Sequence, residues 1–399
     1  MLQDLFSRSL PRLTASPHAA DLDAFAIYLR SGDYCRLTRR RHVRHLYRVL
    51  GAVAQTRLDK VSDTELRSFF GRWPGKGYRG TERLFHRFLL DNGRLWIDTD
   101  CEPRLVLKQQ YLDRLRDLRG LAPRTLTYIN WSLTDFLTDI LAPCDTAAAI
   151  TADAIETYFR TRGPRLARRT FRHTVGAVRS FLRYAFEFGV LPEPLHRFEL
   201  PRGFRFEQPP RALAWPQIEA MLVAIDRSTF VGDRDHAMLH LLAWYGLRPG
   251  EVASLAVNSI DWRASILSVY QSKTRSTLTL PLAPATIAVL REHLARRRAS
   301  SHPQIFLCGQ PPYGPMSCSL VTSRFKFHAR RTGLPIASAS AYALRHSFAM
   351  RLLRAGVGIE AIGDLMGHRN ASSTSAYLRI QSDMLRGLAL DVPGVGEQP

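Results

Sequence analysis

Five prolines fall between Leu191 and Arg211: Pro192, Pro194, Pro201, Pro209 and Pro210. Each lacks a backbone donor and fixes φ, so no regular helix crosses this stretch. It reads as an extended tether over 192–211. The chain must therefore fold in separate pieces on either side, and 399 residues suffice for more than one core. A second joint falls at Asp100-Cys-Glu-Pro103. The pattern predicts a helical domain over 1–103, a second over 104–191, the tether, and a C-terminal domain over 212–399. Residues up to about Ala20, with Pro11 and Pro17, read as a loose leader.

The two N-terminal pieces look alike. Val61-Ser-Asp-Thr-Glu-Leu66 matches Ile150-Thr-Ala-Asp-Ala-Ile155 at an offset of 89, and Phe88-Leu-Leu-Asp-Asn-Gly93 matches Tyr184-Ala-Phe-Glu-Phe-Gly189 at 96. Each reads as a four-helix unit. A helix capped by Ser62 or Thr151 packs on a longer helix that stops at Gly93 or Gly189. In the second copy, Phe171, Val175, Val178, Leu182 and Ala185 form an apolar stripe. Beside it runs a basic stripe of Arg172, Arg179 and Arg183, extended upstream by Arg168 and Arg169. In the first copy Arg40, Arg44 and Arg48 recur every four residues along one face. Like charges stacked this way repel, and a phosphate backbone relieves the repulsion. A solvated surface is the plainer alternative.

Net charge decides which alternative deserves weight. It is +21, with a pI near 10.5. Residues 1–200 carry 33 basic and 22 acidic side chains, and 201–399 carry 23 and 13, so the excess is spread along the chain rather than held in a tail. That distribution points to a polyanion touching the whole molecule, and double-stranded DNA fits it. No apolar run approaches a membrane span. The start of the chain shows no basic-then-apolar signal pattern. The cysteines (Cys35, Cys101, Cys144, Cys308 and Cys318) are scattered, with no Cys-x-x-Cys pair, which argues for neither a disulfide framework nor a zinc site. The expected setting is a reducing cytoplasm.

The C-terminal domain carries the chemistry. Asp233 to Tyr245 is an apolar helix that stops at Gly246. Leu247-Arg248-Pro-Gly-Glu251 follows, with an arginine in the break between two helices and a carboxylate three residues on. Ser265–Tyr270 and Leu278–Leu282 alternate like two short strands around a polar tip, Gln271-Ser-Lys273-Thr-Arg275. Further helices are predicted over Pro284–Arg298 and Leu320–Thr332. Tyr342-Ala-Leu-Arg345-His346-Ser-Phe348 opens another helix, buried through Leu344, Phe348 and Leu352. Leu365-Met-Gly-His368 ends the next, and Tyr377 stands nine residues later. A buried guanidinium is costly without a partner, and a tyrosine attacks poorly unless charge on its target is stabilised. The set points to a site that holds and attacks a phosphate.

Gly246-Leu-Arg248-Pro-Gly-Glu251, Ser272-Lys273-Thr, Leu344-Arg345-His346-Ser-Phe-Ala, Leu365-Met-Gly-His368 and Tyr377 together resemble the motif set of the tyrosine recombinases, the phage-integrase family. The catalytic resemblance covers about Arg211 to Leu390. Val106–Leu191 more loosely resembles the family's core-binding domain. The resemblance implies a mainly α fold with a small β-hairpin or sheet in an α+β catalytic domain, preceded by helical DNA-clamp domains. It implies a site-specific recombinase of a mobile element, with no metal and no cofactor. Tyr377 would attack a DNA phosphate, Arg248 and Arg345 would bind its oxygens, Lys273 would protonate the leaving oxygen, His368 would hydrogen-bond the phosphate, and Glu251 would support them. The family usually has histidine where Tyr342 stands. A phenol donates a hydrogen bond but is a poor general base at neutral pH. His346, one residue round the helix from Arg345, is expected to be structural. Partners implied are duplex DNA and a homotetramer on two duplexes, or a hetero-assembly with related recombinases. Met384–Leu390 would link protomers or pack back on its own domain. Residues 1–103 would bind separate DNA sites or duplicate the core-binding domain, and their likeness to 104–191 favours the duplicate. Two other readings stay open: a catalytically idle DNA-binding partner, and a type IB topoisomerase-like enzyme.

Overall fold

The computed structural model describes residues 1–7, 9–53, 58–96, 102–201, 212–272, 275–334 and 340–367. The chain divides into two compact units, Met1–Arg30 with Cys35–Glu207, and Gln208–Pro399 with Ser31–Tyr34.

The first unit is helical: α1 (Leu2–Leu5), α2 (Leu10–Thr14), α3 (Ala19–Ser31), α4 (Arg36–Leu50), α5 (Asp63–Gly71), α6 (Lys76–Asp91), α7 (Pro103–Asp117), α8 (Pro123–Ile140), α9 (Ala152–Arg162) and α10 (Arg168–Glu187). A two-residue parallel pairing joins β1 (Val61–Ser62) to β2 (Leu95–Trp96). The capping signals act as expected. Ser62 Oγ accepts from Glu65 N at 3.0 Å while Glu65 Oε2 accepts from Ser62 N at 2.9 Å, and Thr151 Oγ1 accepts from Ala154 N at 3.3 Å. Helices α6 and α10 stop alike. Gly93 and Gly189 take φ of +64° and +71°, and the next amides bond back to Leu89 O and Ala185 O at 2.8 and 2.9 Å.

The loose leader is corrected. Leu2, Leu5, Phe6 and Leu13 are buried, and Asp23 Oδ1 accepts from Leu2 N at 2.7 Å. Pro11 sits in the first turn of α2, where its missing donor costs nothing. The tether is also less free than its prolines imply. Within its described part, to Pro201, Leu195 and Phe198 pack on the core of α7–α10, with Phe198 edge-on to Phe159 at 5.8 Å.

The second unit holds α11 (Trp215–Val223), α12 (Phe230–Trp244), α13 (Pro249–Ser254), α14 (Pro284–Arg296), α15 (Cys318–Arg331), α16 (Tyr342–Arg354) and α17 (Ile359–Leu365). An antiparallel sheet runs in the order β3 (Ile260–Asp261), β4 (Ile266–Gln271), β5 (Ser276–Pro281). Both expected strands are present, and β3 adds a third. Helix α12 is central, packed against α11, α13, α14, α15 and α16. Two ties fix α16. Ser347 Oγ accepts from Leu213 N at 2.7 Å, and the Arg351 guanidinium lies 4.1 and 4.4 Å from the Trp215 and Trp244 rings.

A helix buried on all sides must pair its charges. Asp235, fully buried on α12, accepts from Arg234 Nη2 at 2.6 Å, Arg324 Nε at 2.6 Å and His328 Nε2 at 2.8 Å. Burial pushes its carboxyl up, but the bonds from His328, Arg234 and Arg324 outweigh this and hold it below the usual range. Asp235→Ala is therefore expected to destabilise this unit by about 3–5 kcal/mol, because it strands the buried Arg234 cation. Urea unfolding followed by tryptophan fluorescence measures it.

Candidate active site

Helix α12 ends at Gly246, whose φ is +59°. A Cβ there would also lie 2.4 Å from the Phe348 ring, so glycine is required twice over. Arg248 then caps α13. Glu251 Oε2 accepts from Arg248 N at 2.7 Å and Oε1 from its Nη1 at 2.5 Å. Glu251 is buried and Arg248 is one-fifth exposed. The carboxylate thus holds the guanidinium at a fixed place in the first turn of α13.

Arg345 lies one turn into α16, beneath the surface at 4 % exposure. Its Nη1 donates to Gly246 O at 2.6 Å and its Nη2 to Met366 O at 2.5 Å. These carbonyls lie at the C-terminal ends of α12 and α17, where the helix dipoles are negative. Two helix ends thus solvate the cation. The same guanidinium joins the segment leading to Arg248 with the one leading to His368. Arg345 thus bonds the carbonyl two residues ahead of Arg248 in the chain.

Gln271, at the end of β4, is a residue that sequence reasoning missed. It is 1 % exposed, and its amide Nε2 stands 3.5 Å from Met366 O. A Cβ on Gly367, whose φ is +63°, would come within 2.4 Å of that amide. So Gln271 packs the start of the Lys273 hairpin against the Gly367 turn. Its one signal is a polar residue at an inward position of an alternating strand. Gly367→Ala is expected to cost about 1–3 kcal/mol from left-handed backbone strain and the Gln271 clash. Adding Gln271→Ala should recover part of the loss in chemical denaturation.

Tyr342 opens α16 and is 43 % exposed. Burial, with Arg345 beside it, holds the His346 imidazole below its ordinary range, so it is neutral at pH 7. Lys273, His368 and Tyr377 lie outside the described residues.

Among the basic residues of the first unit, Arg168, Arg169, Arg172 and Arg183 are exposed on α10 and Arg179 is half-buried. On α4 the expected stripe needs correction. Arg44 and Arg48 are exposed and Arg40 is half-buried, and the guanidinium groups of Arg40 and Arg44 lie 5.7 and 5.6 Å from the Phe6 ring. Every fourth residue drifts about 40° round a helix, which sets Arg40 about 80° round from Arg48 and leaves Arg41 nearly in line with it.

The phage integrase family model matches residues 212–384. Integrase/recombinase y4rA of Sinorhizobium fredii, whose name is itself provisional, is 30% identical over 306 residues, 75% of this chain and 74% of that one. The chain belongs to the phage integrase family. This family member is also 33% identical over 208 residues to tyrosine recombinase XerD of Xanthomonas axonopodis pv. citri, covering 50% of this chain and 65% of XerD. Its fold is that of the lambda integrase dimer bound to a COC' core site, with a TM-score of 0.55 at 17% identity over 73% of this chain and 79% of that one. The mainly helical architecture and the three-stranded sheet of the catalytic domain are those of the integrases. As a tyrosine recombinase, the chain is an enzyme of site-specific DNA breakage and rejoining. No helix among the described residues is long and apolar enough to cross a membrane.

Proposed function

We propose that this recombinase serves a mobile element in the bacterial cytoplasm, at the nucleoid, and cuts DNA through a 3′-phosphotyrosyl intermediate. The Tyr377 oxygen, its phenolic proton released to solvent water, bonds to the phosphorus as the bond to the 5′-oxygen breaks. Lys273 gives that oxygen its proton. Arg248 and Arg345 hold the non-bridging oxygens and stabilise the charge of the pentacoordinate state. His368 adds a hydrogen bond, Glu251 fixes Arg248, and Tyr342 donates to the phosphate where most relatives place histidine. The ester keeps the energy of the broken bond, so rejoining needs neither ATP nor metal. The observation that carries this reading is the Gly246 break, where Arg345 bonds the carbonyl two residues before Arg248.

Strand exchange needs two duplexes, so the assembly proposed is a homotetramer, or a mixed one with related recombinases. Residues 104–191 act as the core-binding domain, gripping duplex through Arg168, Arg169, Arg172, Arg179 and Arg183. Helix α4 grips through Arg44 and Arg48. The test is a duplex from the element's own ends, nicked just beside the cleavage point so that the short fragment diffuses away. Trapping as a denaturant-stable protein–DNA adduct, with phosphate on tyrosine, is the expected result. No adduct would favour the idle DNA-binding partner. An adduct that relaxes supercoils without exchanging strands would favour the topoisomerase.

A further inference from the structure

The two helical units of the N-terminal half share more than their caps. In the first, the Phe25 ring of α3 sits between two rings of α6, 5.4 Å from Phe85 and 5.6 Å from Phe88. In the second, the Tyr111 ring of α7 sits between two rings of α10, 5.7 Å from Phe181 and 5.1 Å from Tyr184. Phe181 and Tyr184 stand 96 residues after Phe85 and Phe88, the same interval that separates Gly93 from Gly189. At that interval Arg83 and Arg87 of α6 fall on Arg179 and Arg183 of α10. The basic stripe is repeated along with the core that supports it.

The stripe of α6 is joined by that of α4. The two helices pack together, and their seam is close because Gly77 faces His45, which a Cβ would meet at 2.9 Å. Thr81 Oγ1 sits 2.8 and 3.1 Å from the Nδ1 atoms of His42 and His45, and burial pushes His42 down to about 4. The seam is thus neutral at pH 7, and the charge lies outside it. Arg41, Arg44 and Arg48 are exposed on α4, and Arg79, Arg83 and Arg87 on α6. Among the described residues none of these six stands in an ion pair, whereas Arg67 of the same unit and Arg116, Arg160 and Arg183 of the second each have a carboxylate within 4.0 Å. Two adjoining ridges of unneutralised guanidinium groups on rigid helices fit the backbone of a duplex.

We infer that residues 1–96 form a second duplex-DNA clamp, built on the same plan as the core-binding unit and gripping through the α4 and α6 ridges. It contacts DNA beyond the stretch held by α10. The inference rests on the recombinase reading only in taking DNA as the polyanion. The test uses the full chain, with salt-dependent binding to a long and a short labelled duplex of unrelated sequence. Arg79→Ala/Arg83→Ala/Arg87→Ala is expected to lower the log–log salt slope on the long duplex by about 2–3, since each lost phosphate contact removes about 0.9. On the short duplex the change is smaller. An equal charge loss from the paired arginines, Arg67→Ala/Arg116→Ala/Arg160→Ala, leaves the slope near wild type. An unchanged slope in the ridge variant, or equal changes in both triples, would overturn the inference. So would equal effects on long and short duplexes. The ridge variant still forms the tyrosyl adduct on a short nicked duplex. Should wild type form none, the catalytic reading fails while the slope still judges the clamp.

Discussion

Tyr377→Phe is expected to bind its DNA as wild type does and to leave no covalent adduct at all. The phenol oxygen is the only atom removed, and in the proposed reaction it is the atom that becomes bonded to phosphorus. Water cannot replace it with the same outcome, because hydrolysis would release a free end rather than a protein-linked one. Two measurements separate this from a folding defect. Denaturing gels score the adduct on the nicked duplex, and fluorescence anisotropy scores binding to the intact one. An adduct that persists in Tyr377→Phe would move the nucleophile to another residue and remove the basis for the present assignment.

Arg345→Lys is expected to slow adduct formation by about 10²–10³-fold, the range seen when one preorganised donor is lost from a transition-state site. Charge is kept in this variant, so the loss isolates geometry. A guanidinium spans the carbonyls of Gly246 and Met366, 2.6 and 2.5 Å away, with its planar fork. An ammonium is a point donor on a flexible stem and cannot bridge both while meeting a phosphate oxygen. Single-turnover cleavage under saturating enzyme reads the effect directly, with DNA affinity changed far less than rate. A loss that appeared wholly in affinity would make Arg345 a binding residue rather than one of the transition state.

The motif residues were readable because chemistry restricts residue type at fixed spacing: Gly246, Arg248, Glu251 and Arg345 stand where the pattern puts them. What meets Arg345 was not readable. A buried guanidinium calls for an anion, and the structure supplies two backbone carbonyls, which every residue has and no sequence marks. Gln271 is silent for a related reason, since its contact with Gly367 spans 96 positions and involves no charge. The Asp235 network joins positions 89 and 93 residues apart, Arg324 and His328, whose composition reads equally well as a solvated helix. The α4 stripe is less even than its spacing suggests. A four-residue repeat looks straight in sequence but winds round the helix, and Phe6, expected to lie in a loose leader, packs under both Arg40 and Arg44. The likeness of the helical units was legible at both ends, because caps and stop glycines are local signals. Its strongest mark, one ring held between two, appears only when the helices are packed.

The Gly246 carbonyl has a thermodynamic consequence. It is bonded to Arg345 and lies two residues ahead of Arg248, so displacing either guanidinium disturbs the other. In the proposed reaction their contributions to holding a phosphate are then linked quantities, not separable ones. Paired replacements at these positions should cost less than the two single losses added together. In that reaction the two arginines act as one cooperative receptor whose stiffness is set by a glycine.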